Sequence, residues 1–325
     1  MVMPKPWLWI PPQLSHDISP WIMNVAGHMP ARAIPAWESF TWRGLHFPNR
    51  LGIAGGVDKD GLGIKGWWNF GAGFLEVGTI TPKPQHGNPG KRVGRDLPHQ
   101  AVWNRLGFPS QGADCLHARL QALKEHRTPL FANIGKNAAT PLESAHQDYL
   151  FLIDRFAGLV DGFVVNISSP NTKGLRELLK PARLKEFIAP LSDKFAAVQS
   201  PWLLKISPDI EPQELEAILQ ISSDAGCGGW VLTNTSQGLR ENLSFPAEGG
   251  VSGKPLAEKS KALLRLVRTA KQDRLVVSVG GVLTPEDVEE RLSLGADLVQ
   301  VYAALIFSGP TFFRQVARWR QKRKP

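Results

Sequence analysis

From about residue 50 onward, short β-prone apolar runs ending in Gly, Asn or Thr alternate with longer stretches whose apolar positions recur at helical spacing. Eight such runs can be counted, at 51–54, 74–78, 130–133, 162–166, 202–206, 229–233, 275–279 and 298–301. Strict alternation of strand and helix predicts a parallel α/β fold, and eight repeats predict a closed (β/α)8 TIM barrel rather than an open sheet. The helices carry their own punctuation. Thr284 precedes Pro285 at a first helical position, Asp287 stands three residues after that cap, and Val288 and Leu292 share a face. In 257–271, Leu263, Leu264, Leu266, Val267 and Ala270 form an apolar stripe opposite Lys259, Lys261, Arg265 and Arg268. The Pro- and Gly-rich stretch 82–112 is too long for a standard βα connection and reads as a lid or wall.

A chain of 325 residues exceeds one average domain, yet a single barrel with a short N-terminal helical extension accommodates it: residues 1–45 as an arm and 46–325 as the barrel. With 42% hydrophobic and 21% charged residues, disorder is excluded. Cys115 and Cys227 lack the paired spacing of a zinc site or disulfide framework and read as buried thiols in a reducing compartment. The histidines are scattered, so no metal is predicted. No run of about 18 apolar residues could span a bilayer. The Pro-rich start MVMPKPWLWIPP lacks the apolar region of a signal peptide, and a cytoplasmic protein is expected. The formal charge of +9 favours acidic partners without choosing among lipid, nucleic acid and a small anion.

The strand ends are polar: GGVDKDG after the first, GTITPKPQ after the second, NIGKN at the third, NISSPNT at the fourth, Lys205 on the fifth, TNT at the sixth. That is the face of a barrel where chemistry sits. Hydroxyls and amides there suit a planar heterocycle offering donors and acceptors, and Lys59 and Lys205 add charge for a carboxylate or an anionic ring. VSVGG and VYAALIFSGP after strands seven and eight form a phosphate-holding pair of loops, which fits flavin mononucleotide (FMN).

These runs, with NRLGF and GGVSGKPL, resemble in their order the quinone-linked (class 2) dihydroorotate dehydrogenases over roughly residues 50 to 310. NISSPNT together with AGGVDKDG is specific to that superfamily, and a serine rather than a cysteine at the base position marks the quinone-using class. The resemblance implies oxidation of dihydroorotate to orotate in pyrimidine biosynthesis, with hydride passing to FMN and electrons to a membrane quinone. It makes Ser169 the base that takes the C5 proton and puts Thr172 on the proton's exit path. Lys59, Asn104, Asn166, Asn171 and Asn234 would bind the substrate, with Phe108 packed nearby. Gly55, Gly56, Thr79, Asn133, Asn166, Lys205, Thr233, Gly253, Gly281, Tyr302 and Ala303 would hold FMN. Arg95 and Tyr302 match positions beside the quinone head group. A peripheral monomer on the cytoplasmic face of the inner membrane, without nucleic acid, completes the expectation.

Plain structural readings stand beside these. Ser168 and Ser169 taken singly are turn hydroxyls, Asn171 an Asx-turn, and Asp58 and Asp60 helix caps; their joint occurrence favours a site, with Asp58 kept structural. Lys136 and Lys254 read equally as solvated or functional. Five of the eleven tryptophans, Trp7, Trp9, Trp21, Trp37 and Trp42, lie in the arm. There Ser19 and Pro20 can start a helix with Trp21, Ile22, Val25, Ala26 and Met29 largely on one face. This arm either docks on a membrane or packs on the barrel. The cationic run Arg314, Arg318, Arg320, Lys322, Arg323 and Lys324 is either a lipid contact or solvated. The chain departs from the family pattern at Pro109, Gly94 and Ala303. Two rivals remain: a flavin barrel acting on transfer RNA, disfavoured because neither cysteine falls in a strand-end motif, and a paralogue that binds flavin without turnover.

Overall fold

The computed structural model describes residues 5–270 and 272–323. A short hairpin, Phe40–Trp42 (β1) and Leu45–Phe47 (β2), leads into Leu51–Asp58 (β3) and Leu75–Ile80 (β4). Val93–Asp96 (β5) and Ala101–Asn104 (β6) follow, then Leu130–Ile134 (β7), Gly162–Asn166 (β8) and Trp202–Ile206 (β9). Gly229–Leu232 (β10), Gly250–Gly253 (β11), Leu275–Val279 (β12) and Leu298–Val301 (β13) complete the strands. β3, β4, β7, β8, β9, β10, β12 and β13 pair in parallel and close into a barrel, each at one of the eight expected positions. β3 runs on past 54 into the GGVD segment, so part of the expected strand-end motif is itself strand.

Helices cover the barrel: Ile64–Phe70 (α2), Ala113–Gln121 (α3), Ala145–Phe156 (α4), Pro181–Val198 (α5), Pro212–Asp224 (α6), Ala257–Val267 (α7), Pro285–Ser293 (α8), Ala303–Ser308 (α9) and Phe312–Gln321 (α10). Thr284 forms the expected capping box, its Oγ1 accepting from Asp287 N at 3.2 Å while Asp287 Oδ2 accepts from Thr284 N. α7 corrects one expectation. Leu263, Leu264 and Val267 are buried, but Leu266 is half exposed, and Ser260 takes the inward position with its hydroxyl donating to Val279 O at 2.9 Å. The expected helix over 257–271 ends at Val267 with a 3-10 turn, and Lys271 lies outside the described residues.

The N-terminal mouth of the barrel is plugged. Phe47 is fully buried, edge-on to Phe74 at 5.8 Å and stacked on Phe131 at 6.5 Å, so the β1–β2 hairpin closes the end away from the polar loops. The 82–112 segment is more than a loop. Its β6 pairs antiparallel with β5 on one side and with β11 on the other, forming a three-stranded sheet at the opposite mouth.

The arm carries a helix at Pro12–Gly27 (α1), more than a turn earlier than Ser19 and Pro20 suggested. Pro12 is the residue that fits the first turn. Pro20 sits inside, where it leaves His16 O without an amide donor, and Ser19 Oγ supplies a bond to that carbonyl at 3.0 Å. α1 lies tightly against α2, where a Cβ on Gly66 would stand 2.0 Å from Met23 O. Met23 is buried there, while Trp21, Ile22, Val25 and Met29 are exposed and Ala26 is half-buried. Among the described residues no helix is long and apolar enough to cross a membrane.

The basic C-terminal run is not one surface. Arg314 donates to Asn69 O and Ala33 O, Arg320 pairs with Glu38 and Glu289, and Arg323 lies over the Trp319 ring; Arg318 and Lys322 are exposed, and Lys324 lies outside the described residues. Cys227 is buried, and burial pushes its thiol up to about 12. Cys115 departs from its expectation: it is only partly buried, with Sγ donating to Gln111 Oε1 at 2.9 Å.

Candidate active site

The pocket lies at the C-terminal mouth of the barrel, roofed by the β5–β6–β11 sheet, and its floor is a polar cluster. Glu76 on β4 is wholly buried and accepts from Lys205 Nζ at 2.9 Å, from Gln300 Nε2 at 2.7 Å and from Asn133 Nδ2. A carboxylate offers about four lone-pair sites, so three charge-assisted bonds leave it nearly satisfied without water. Gly55 is required above it, since a Cβ there would stand 2.2 Å from Glu76 Oε1. Gln300 lines the pocket, and its Oε1 is buried without a hydrogen-bond partner among the described residues.

The loop after β8 carries Ser168, Ser169, Asn171 and Thr172. Ser169 is buried, lines the pocket, and its Oγ accepts from Asn171 N at 3.2 Å. Asn171 Nδ2 donates to Asn104 Oδ1 at 2.7 Å, linking this loop to the lid, while Asn171 Oδ1 and Thr172 Oγ1 are buried without partners. Asn166 Nδ2 donates to Thr79 Oγ1 at 2.9 Å, and Asn234 Nδ2 to Ser168 Oγ at 3.0 Å. Behind the loop, Arg176 donates through Nε to Ser168 O and through Nη2 to Thr235 O, each at 2.9 Å, and pairs with Asp209 at 2.9 Å. One guanidinium thereby ties the Ser169 loop to the Asn234 loop.

Lys59 follows β3 into the mouth. Burial first, then the nearby Arg92 charge, lower its ammonium to about 8 against the upward pull of Asp60, Asp17 and Asp58. Asp58 keeps its structural role, accepting from Leu62 N and Gly63 N, and burial raises it to about 6. Asp60 caps no helix; its carboxylate accepts from Gln111 N in the lid. Phe108 packs over Gly135, where a Cβ would approach its ring to 3.0 Å. At the other end, Gly253, Gly280, Gly281, Tyr302 and Ala303 line the pocket, and the buried Arg291 holds the glycine turn through Gly280 O at 2.7 Å.

A second, mainly apolar cavity of about 310 Å3 lies between the arm and the barrel, walled by Trp7, Ile10, Ile18, Ile22, Met23, Val57, Arg95 and Ile306. Tyr302 belongs to the walls of both cavities. Arg95 Nη2 donates to Leu8 O at 2.6 Å and Ile10 O at 2.9 Å, so it fastens the arm to the lid as well as lining the cavity. Gly94 leaves no gap: Phe245 stacks on Trp103 at 6.4 Å, and a Cβ on Gly94 would meet its ring at 3.4 Å.

Residues 39–321 match the family model for dihydroorotate dehydrogenase. The chain belongs to the dihydroorotate dehydrogenase family. It is 41% identical over 295 residues to the dihydroorotate dehydrogenase (quinone) of Synechococcus sp. (strain JA-3-3Ab), covering 87% of this chain and 78% of that one. With the enzyme of the same name from Dichelobacter nodosus (strain VCS1703A) it shares 39% over 317 residues, 94% of each chain. Among solved structures it is similar to the enzyme of Eimeria tenella in complex with ferulenol, with a TM-score of 0.87, 31% identity, and coverage of 95% and 90%.

As a member of this family, the chain brings nearly all of its expected site residues to one pocket. Ser169, Lys59, Asn104, Phe108, Asn166, Asn171 and Asn234 line it, as do Gly55, Gly56, Thr79, Lys205, Thr233, Gly253, Gly281, Tyr302 and Ala303. Asn133 lies one layer below, where its Oδ1 accepts from Asn166 at 3.2 Å, and Thr172 is buried but does not line the pocket. Arg95 belongs to the second cavity alone. Lys136 is not solvated: it is buried and donates to Thr140 O at 2.7 Å and Asn137 O at 3.0 Å, bracing the turn after β7, whereas Lys254 is exposed. Sequence reasoning missed Glu76, Gln300, Arg176 and Arg291. Polar residues inside apolar strand runs at 76 and 300 were the available signal for the first two.

Proposed function

We propose that this chain oxidises dihydroorotate to orotate in de novo pyrimidine biosynthesis, with FMN as cofactor and a membrane quinone as final acceptor. The observation that carries the reading is the convergence of a buried serine hydroxyl, a lysine and four asparagines on one pocket. The pocket fits a flavin. Its floor offers Lys205, the unpartnered Gln300 Oε1 and the amide of Asn166, which Asn133 braces from below, and its far end is a glycine turn next to Ala303. Those groups would bind the ring system and the phosphate respectively. FMN, when bound, supplies the hydride acceptor.

Ser169 is the base for the C5 proton. A serine is a weak base in water, so the lid that excludes water and the amide donors that meet developing charge are part of the mechanism. The proton leaves past Thr172, whose hydroxyl has a free acceptor position. Lys59 holds the substrate carboxylate, and Asn104, Asn166, Asn171 and Asn234 hold the pyrimidine edges. Phe108 closes the pocket over the ring. The apolar cavity bordered by Tyr302 and Arg95 suits the quinone, and the exposed Trp9, Trp21, Ile22, Val25 and Met29 suit peripheral attachment at the cytoplasmic face of the inner membrane. We read the protein as a monomer.

The test is anaerobic mixing of dihydroorotate with the flavin-loaded protein. Bleaching of the yellow absorbance, reversed by a soluble quinone and at least a hundredfold slower in Ser169→Ala, supports substrate, base and acceptor together. A flavin that stays oxidised overturns the reading.

A further inference from the structure

Lys59 Nζ lies 2.6 Å from Nε2 of His16, a residue of α1 in the N-terminal arm. An ammonium only donates, so Nε2 is the acceptor and the imidazole is neutral with its proton on Nδ1. The Lys59 charge, burial and Arg92 hold His16 well below its ordinary range, which agrees with that assignment. The contact stands where three cavities adjoin. Lys59 walls the substrate pocket, His16 walls the apolar cavity, and both wall a polar chamber of about 430 Å3 between α1 and the lid. The charged and titratable groups facing the pair are Asp17 on α1, Asp58 and Asp60 at the end of β3, His86 and Arg92 from the lid, and Arg119 of α3 acting on Asp58.

We propose that His16 is a positioning residue for Lys59: its imidazole fixes the ammonium at the pocket mouth, so the arm that walls the apolar cavity is also part of the substrate site. This rests on the functional reading above. One of the three ammonium protons is committed to Nε2, which leaves two for a carboxylate and removes the freedom of a long side chain to turn into the polar chamber. Substrate affinity then depends on the docking of α1, the helix of the chain's own tryptophan-rich arm.

The experiment compares His16→Leu and His16→Gln with the unaltered flavin-loaded protein, measuring orotate binding by calorimetry from pH 6 to 9 and kcat and KM for dihydroorotate with a soluble quinone. Leucine keeps the site dry but accepts nothing; glutamine restores an acceptor oxygen. His16→Leu is expected to weaken orotate by about tenfold, to raise KM more than it lowers kcat, and to move the alkaline loss of affinity to lower pH. His16→Gln recovers most of the affinity. Should the leucine protein fail to fold, His16→Asn, whose shorter amide falls short of Nζ, carries the same expectation. Binding indifferent to these changes, or equal weakening in the leucine and glutamine proteins, overturns the inference alone. Absence of orotate binding by the unaltered protein overturns the functional reading and the inference with it.

Discussion

The ammonium of Lys205 donates to Oε1 of Glu76 at 2.9 Å, and both side chains are buried in the pocket floor. Removing one member of a buried ion pair leaves the other charge uncompensated, at a typical cost of about 3–5 kcal/mol. Glu76→Gln keeps the shape and strands the Lys205 charge. It should lower stability by about 3 kcal/mol in denaturant titrations and weaken FMN binding in fluorescence titrations. Unchanged values in both would mean that the cluster is held by the surrounding strands and not by its charges.

Asp209 gives a pH prediction. Burial alone would raise it, but hydrogen bonds from Lys259, Ser236, the Gln237 amide and Arg176 outweigh that and hold it down to about 2, against an ordinary 3.8. A depressed carboxylate contributes its stability above the ordinary value and loses it as pH falls toward the folded one. The window is therefore about pH 4 to 2, and the contribution at neutral pH is about 2 kcal/mol. Asp209→Asn should remove that stability and flatten the acid limb of unfolding across this window. Because Arg176 grips Ser168 O and Thr235 O, the same variant should slow dihydroorotate-dependent bleaching several-fold.

The eight barrel strands were legible because each is an apolar run bounded by turn residues, and the site was legible because its motifs cluster at strand ends. Glu76 and Gln300 were not. A polar residue within a strand reads as a defect until its partner is known, and these two partners are 224 positions apart. Arg176 and Arg291 escaped for the same reason, since each acts on backbone carbonyls that no motif marks. The start of α1 was misplaced because Pro20 fits a first turn as well as Pro12 does, and only the Ser19 bond to His16 O explains how the helix tolerates it. The β1–β2 hairpin was hidden by its length, three residues a strand.

Under the proposed function, a change at Arg95 tests whether the two half-reactions use separate cavities. Its guanidinium is committed to Leu8 O and Ile10 O, and it lies on the wall of the apolar cavity but not of the substrate pocket. Arg95→Ala should loosen the arm over that cavity and raise KM for a soluble quinone by roughly tenfold, the loss of about two hydrogen bonds from a charged donor tempered by partial exposure. The carbonyls it holds precede α1, so His16 keeps its contact with Lys59, and anaerobic flavin reduction at saturating dihydroorotate should stay within about twofold of the unaltered protein. A matching loss in both steps would show instead that the arm and lid move as one unit.

Ala303 is the departure most open to repair. It is buried at the first position of α9 and lines the pocket beside the glycine turn of Gly280 and Gly281. A serine there puts a hydroxyl where a buried methyl now sits, so in the flavin-free protein Ala303→Ser should lower stability by about 1 kcal/mol. If the phosphate of FMN binds at this turn, the same hydroxyl donates to it, and affinity should rise about fivefold, close to 1 kcal/mol. The two effects have opposite signs and are read separately, by thermal unfolding without flavin and by titration with it. A serine that destabilises the protein and leaves flavin affinity unchanged would place the phosphate elsewhere in the pocket.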